Sequence, residues 1–445
     1  MLKHGRAILF AVVCLSALSP APAWAANHYI RAGGSGSTSG TGDCADWTNT
    51  HACGNLPTTL IRGDTYFVAA GNYGSYTFAS LAGSTTVTVQ KATVAVHGTD
   101  TGWSDAFATG QAVWPDWDWF MSHLTIDGVT GGGPGSFNSG HGFAVRSQKA
   151  DSGHHIFTDQ NVTDITLRHT EIDGVENTSG LDVDLVYMIG GSTNITFSYD
   201  WIHTCPCDTA QIRGNTTNTI IEYTMIEGTQ SIGCHGDVWE YDSGSFSGLI
   251  VRFSYFLNNF TTYYFGSHES GQLTNYAIYG NIFRGGGADN GLISGLSAGS
   301  PTAINNGVFY NNDVIDVNGP NNHPMYGGDG IGSGNVNQNN LFYSTTSQAV
   351  SQPAQVSHDW NWYRNSGTQS EAHIQNGAGD PFVNLAGNNY ALSADTNPGT
   401  NLGAPYNVDM FGTTRSTWTR GAIQFGSGGG DTTPPAAPTN LRFVQ

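Results

Sequence analysis

The sequence predicts an all-β chain wound as a single-stranded parallel β-helix, a solenoid with loops of variable length, and three observations predict it. An eight-residue pattern, apolar-x-apolar-x-x-small polar-x-apolar, recurs as ITLRHTEI (165–172), ITFSYDWI (195–202), LIVRFSYF (249–256) and YAIYGNIF (276–283), with weaker copies TIIEYTMI (219–226) and VFYNNDVI (308–315). The residues at its sixth position are Thr170, Asp200, Thr224, Ser254, Asn281 and Asp313, spaced by 30, 24, 30, 27 and 32. A fixed core pattern at uneven intervals is what coils with loops of different length produce. Finally, 60 glycines with only 11% charged residues describe a turn-rich chain without helical surface patterning.

A second strand lies between successive copies of the pattern. Three such runs open with Asp and then alternate: DLVYMIG (184–190), DTAQIRG (208–214) and DVWEYDS (237–243). Period-2 alternation buries one face and turns the other outward. Val186/Met188, Ala210/Ile212 and Trp239/Tyr241 are the expected inner residues, and Tyr187, Gln211/Arg213 and Glu240/Asp242 the outer ones. Stacked as parallel strands, equal positions sit ~4.8 Å apart, so Gln211 neighbours Glu240 and Arg213 neighbours Asp242. Setting Phe265 against Tyr241 adds Tyr264 to the outer column. The recurring sixth position reads as a polar ladder along one corner. Leucine-rich repeats lack their leucine spacing here, and the Asp-led runs recur too closely for propeller blades.

The ends read differently. Lys3 and Arg6, an apolar run over 7–18 and Ala23-Trp24-Ala25 form a secretory signal with a cleavage site, expected over 1–25. Export and an extracellular location are therefore expected, and no other apolar stretch suggests membrane insertion. Cys14 leaves with that signal; Cys44 and Cys53 bracket a short loop and are expected to pair. Cys205 and Cys234 each precede a strand-opening Asp by three residues, which places them on adjacent coils and predicts a second disulfide; Cys207 is left over. Cys205-x-Cys207 lacks the usual zinc-site spacing. After the helical stack, a Gly-rich linker and tail occupy 426–445, and DTTPPAAPTNLRFVQ (431–445) resembles the first strand of a fibronectin type III module. The formal charge of −19 with 15 Lys plus Arg argues against nucleic acid or an anionic membrane as partner. A monomer is expected. The Trp-rich stretch 102–120 is read as aromatic packing beneath a loop in preference to a carbohydrate-stacking insertion.

HYIRAGGSGS (28–37) followed by GDTYFVAAGNYG (63–74), and a closing segment with Asp409, Gly412, Arg415, Gly421, Ala422 and Phe425, resemble the opening and ending of secreted right-handed parallel β-helix proteins of the pectin-lyase-like superfamily. The resemblance spans 27–425. It implies a right-handed helix, a closing segment that caps the last coil, and a polysaccharide as partner. The motifs of polygalacturonase-type hydrolases are absent: there is no Asn-Thr-Asp, Asp-Asp or Arg-Ile-Lys.

The expected chemistry follows from four ionisable groups packed into 235–242. In a uronan lyase, Asp237, Glu240 and Asp242 would hold Ca²⁺, Arg213 would act as base, and His235, His268 or a tyrosine as acid, with Tyr187, Gln211, Tyr264 and His268 contacting the sugar. Arginine's high pKa opposes the base role; a His or Tyr base avoids that objection. The alternatives are an inverting hydrolase using Glu240 and Asp242, or a non-catalytic glycan-binding or structural surface protein.

Overall fold

A computed structural model describes residues 25–36, 44–146, 154–174, 184–205, 207–230, 236–267, 270–288, 291–295, 304–317, 325–328, 330–346, 350, 352–367 and 369–427. Three long parallel sheets build it. Sheet A has 15 strands and its main path runs from Asn27–Ile30 to Val356–Asp359; sheet B has 12, from Gly71–Asn72 to Gln375–Asn376; sheet C has 9, from Tyr76–Phe78 to Tyr326–Gly328. Between Thr65 and Gly328 the coils visit A, B and C in turn, so the chain is a parallel β-helix. Among the described residues, antiparallel pairing is confined to the strands Phe382–Asn384 and Asn389–Leu392 and one isolated bridge between Val408 and Thr414.

Each element forms because alternating side chains find identical company one coil away. In sheet A the inward column runs Ile126, Leu167, Phe197, Ile221, Val251, Ile278, Phe309 in unbroken register. In sheet B it runs Val145, Ile172, Ile202, Ile226, Phe256, Phe283. All are buried in one core, and each such side chain contributes roughly 1.5–3 kcal/mol of burial. Trp114, Trp117 and Trp119 belong to it as well, on the strands Ala112–Trp114 and Trp117–Trp119. These tryptophans thus pack inward from the strands of a coil, where packing beneath a loop was expected.

The corner between sheets A and B is made by one residue in the left-handed region followed by one polar residue. His169, Tyr199, Tyr223 and Phe253 take the first place with φ of 58°, 60°, 49° and 55°, an unfavourable conformation for side chains with a Cβ. Gly280 takes it at 67° in the next coil. The polar residues offset the strain by accepting backbone N–H groups from the preceding coil. Thr170 N donates to Asp200 Oδ1 (2.9 Å), Thr224 N to Ser254 Oγ (3.2 Å), Ser254 N to Asn281 Oδ1 (3.0 Å), Asn281 N to Asn312 Oδ1 (3.0 Å), Asn312 N to Asn340 Oδ1 (2.8 Å) and Asn340 N to Asn361 Oδ1 (2.9 Å). The expected ladder is present with one correction. Asn312, not Asp313, stacks on Asn281; Asp313 pairs with Ile282 one place along.

The closing segment also differs from expectation. Phe382, Leu385, Tyr390, Leu392, Met410 and Ile423 pack with Met225, Tyr255, Leu257, Ile282 and Ile315 in a second hydrophobic cluster. These are outward residues of sheet B, so the segment covers that face. Its buried Arg415 donates to the carbonyls of Thr419 (3.0 Å) and Ala422 (2.6 Å), and Asp409 accepts N–H groups from Phe411, Thr413 and Gln424.

Cys44 and Cys53 form the expected disulfide. The second expectation is corrected: Cys207 is the disulfide-bonded cysteine, whereas Cys205 keeps its thiol and donates to the Asp208 carbonyl at 2.9 Å. Cys234, like His235, His268, the signal stretch 1–24 and the tail 428–445, lies outside the described residues.

Candidate active site

The outward face of sheet C carries one continuous column. Asp118, Phe157, Tyr187, Gln211, Glu240, Gly266, Ser294 and Gly327 occupy equal positions on successive strands. The predicted Gln211–Glu240 rung is therefore real, and Gln211 Nε2 donates to Glu240 Oε2 at 2.9 Å. After Ile212 the register slips by one, so Arg213 pairs with Ser243, yet its Nε still forms an ion pair with Asp242 Oδ2. Tyr264 is not in the column. Phe265 lies opposite Trp239, two places from the expected partner, and Tyr264 is buried in the core. Its neighbour Tyr263 takes the outward position: a Cβ on Gly266 would stand 2.7 Å from the Tyr263 ring, so only glycine fits there.

The column divides into a covered half and an open half. Glu240 is 0% exposed and Asp242 5%, so neither offers the accessible carboxyl that an inverting hydrolase needs. Glu240 instead joins Asp208 and Asp237, with one oxygen from each lying within 4.8 Å of the others. Asp242, expected in that cluster, is held by Arg213, and Asp208 stands in its place. Asp208 Oδ1 accepts the Asp237 N–H (2.5 Å), and Asp237 Oδ1 accepts the Tyr263 N–H (3.0 Å). These strand-opening acids thus repeat, with carboxylates, the ladder of the opposite corner. Burial, and then the charges of Asp237, Asp184 and Glu240, push the Asp208 pKa well up.

The oxygen-only donor set suits a hard cation such as Ca²⁺, and a divalent charge would relieve the crowding of acids. Because Asp208, Asp237 and Glu240 are all 0% exposed, an ion there would tie coils together and would be shut off from a substrate carboxylate. The expected bridging role for Ca²⁺ does not fit these residues.

The open half is built from side chains of neighbouring coils. Arg213 keeps 40% of its side chain exposed, and its guanidinium lies over the Tyr187 ring, 5.6 Å from the centroid. Burial would lower its pKa, but Asp242 and then Tyr187 outweigh that and raise it. Arg213 is held in its cationic form, which opposes the base role. His154 stacks on the other flank of Tyr187 at 4.2 Å, with Phe157 at 6.0 Å. His154 Nδ1 lies 3.9 Å from Asp184 Oδ2. Sequence reasoning passed over His154, because its link to Tyr187 is a contact between coils with a loop between them.

No protein-family model matches the chain, and no curated protein sequence matches it. Among solved structures it is similar to pectate lyase Pel9A, with a TM-score of 0.49 and 11% identity over 90% of this chain and 96% of that one. It is also similar to the PL6 family alginate lyase AlyGC. A point mutant of that enzyme gives a TM-score of 0.36 at 11% identity and the unmutated enzyme 0.31 at 10%, each over 86% of this chain and 58% of that one. The three-sheet parallel winding seen directly in this chain makes it a parallel β-helix protein.

Proposed function

We propose that this chain is a secreted polysaccharide lyase that cleaves a uronate-containing chain by β-elimination on the outward face of sheet C. The observation that carries the reading is the exposed Arg213 guanidinium, fixed by Asp242 over the Tyr187 ring with His154 stacked on that ring's flank. β-Elimination needs a cation on the substrate carboxylate, a base for the proton beside it and an acid for the leaving oxygen. Arg213 supplies the fixed cation. The His154 imidazole, oriented by Asp184, takes the C5 proton, and the released pair forms the C4–C5 double bond as the C4–O bond breaks. The Tyr187 hydroxyl protonates the departing oxygen.

The test uses pectate and alginate as substrates and follows the ultraviolet absorbance of the unsaturated uronate end. Wild type generates it on one of them. His154→Asn lowers kcat by ~10²–10⁴-fold, and Arg213→Gln lowers kcat as well as raising KM. Reducing ends released without that absorbance, or full activity in both variants, would remove this assignment.

A further inference from the structure

The outward face of sheet B carries a second constellation that lyase chemistry on sheet C does not use. Arg146, Asp173, His203 and Glu227 share one position on four successive strands. Glu171 and Trp201 share the position two residues earlier. One ligand atom each from Glu171, Asp173 and His203 lie within 4.8 Å of one another. His203 Nε2 is 3.3 Å from Glu171 Oε1, and its Nδ1 is 3.4 Å from Asp173 Oδ1. The ring is clamped against Trp201 at 3.7 Å between centroids. Glu171 Oε2 is oriented by Gln111 Nε2 at 2.7 Å, the outer hydrogen bond that fixes a ligating carboxylate in metal sites.

A separate observation points to a missing partner. Glu227, one rung beyond His203, is only 4% exposed. Its Oε1 accepts from Trp201 Nε1 at 2.9 Å, so the carboxyl lies against the same Trp201–His203 layer. Its Oε2 is buried without a hydrogen-bond partner. On the other side of Trp201, 6.3 Å away between ring centroids, His141 is 3% exposed and its Nδ1 likewise lacks a partner. Buried polar atoms left unsatisfied are costly and rare.

We propose that Glu171, Asp173 and His203 bind a first-row divalent metal ion, with Glu227 as a further oxygen donor from the next coil. An imidazole nitrogen among carboxylates selects Zn²⁺ or Mn²⁺ over Ca²⁺. Donors around such an ion stand roughly 3–4.2 Å apart, a spacing that the 3.3 Å between His203 Nε2 and Glu171 Oε1 already meets. Arg146, which donates to both Glu171 oxygens at 2.7 Å and approaches Asp173 to 3.6 Å, competes with the ion for these carboxylates.

The experiment titrates chelator-treated full-length protein with Zn²⁺ by calorimetry and with Mn²⁺ by electron paramagnetic resonance. One ion per chain binds with nitrogen coupling from an imidazole in its Mn²⁺ signal. His203→Gln removes that coupling and weakens Zn²⁺ binding at least tenfold, Glu227→Gln weakens it less, and Arg146→Gln tightens it. Glu240→Gln, in the sheet C acid cluster, leaves the coupled signal unchanged. Absence of stoichiometric binding, binding unaltered in His203→Gln, or a signal abolished by Glu240→Gln would each overturn the proposal. Should His203→Gln fail to fold, Asp173→Asn with the same two readouts decides.

Discussion

The two ladders at the corners of this helix make the same hydrogen bond with different chemistry. Between sheets A and B the acceptors are mostly amides and hydroxyls: Thr224, Ser254, Asn281, Asn312, Asn340 and Asn361. At the entrance to sheet C they are Asp208 and Asp237, with Glu240 beside them. A neutral acceptor meets the backbone N–H of the neighbouring coil without titrating, and an asparagine also donates onward; Asn281 and Asn312 give their Nδ2 groups to the carbonyls of Val251 and Ile278. A buried carboxyl meets the same N–H, but its charge must be neutralised or matched. The difference separates a corner built to hold from a corner whose strength depends on pH and on cations. Asp200 tests the rule from inside the neutral ladder: it is wholly buried, burial pushes its pKa well up, and Oδ2 lacks a partner.

The largest effect should come from breaking the neutral ladder. Asn312→Ala removes the acceptor for Asn281 N and the donor to the Ile278 carbonyl, both buried. With ~1–3 kcal/mol for each orphaned group, a loss of roughly 3 kcal/mol is expected, read as a lower denaturant midpoint with an unchanged slope. Next comes Asp208→Asn. A carboxyl whose folded pKa lies above its unfolded value binds extra protons in the folded state, so stability falls as pH rises from the unfolded value of 3.8 through the raised folded one. Asparagine keeps the acceptor for Asp237 N and removes that slope. The variant should melt about 2–4 °C higher than wild type at neutral pH and level with it in acid, in chelator throughout. Asp200→Asn should show the same sign with a smaller gain, since no cluster of like charges surrounds it. Equal melting at all pH values for both variants would mean that the two ladders do not differ as described. On the acid side Glu171 behaves oppositely. Burial raises its pKa, but hydrogen bonds from His203, Arg146 and Gln111 outweigh that and hold it at about 2. Its contribution is present above the ordinary glutamate range and is lost as pH falls toward that value.

Much of this was legible in the sequence because solenoid coils repeat their constraints. The spacing of DTAQIRG and DVWEYDS placed Gln211 beside Glu240, as found. The pattern failed where neighbouring residues offered equal matches. Asn311-Asn312-Asp313 gives two polar choices for one ladder place, and the core took Val314 inward, which puts Asn312 at the corner. Tyr263-Tyr264-Phe265 offers three aromatics for two inner places, and the insertion before them hid the register. Alternation predicts that a side chain points outward, but it does not predict what covers it; Glu240 points outward and is covered. The sheet B constellation left a trace that the template ignored. The ninth place of three successive copies holds Asp173, His203 and Glu227, an ionisable group each time. A ladder of backbone bonds explains the sixth place and says nothing about the ninth.

The most direct test of the division between a covered acid cluster and an exposed catalytic face is uronan cleavage in excess chelator, below the melting temperature measured in the same buffer. Formation of the unsaturated product at an undiminished rate is the predicted result, because the proposed mechanism assigns the chemistry to His154, Tyr187 and Arg213 and leaves any Ca²⁺ at Asp208, Asp237 and Glu240 only the joining of coils. Loss of product from a still-folded protein, restored by adding Ca²⁺ alone, would contradict it.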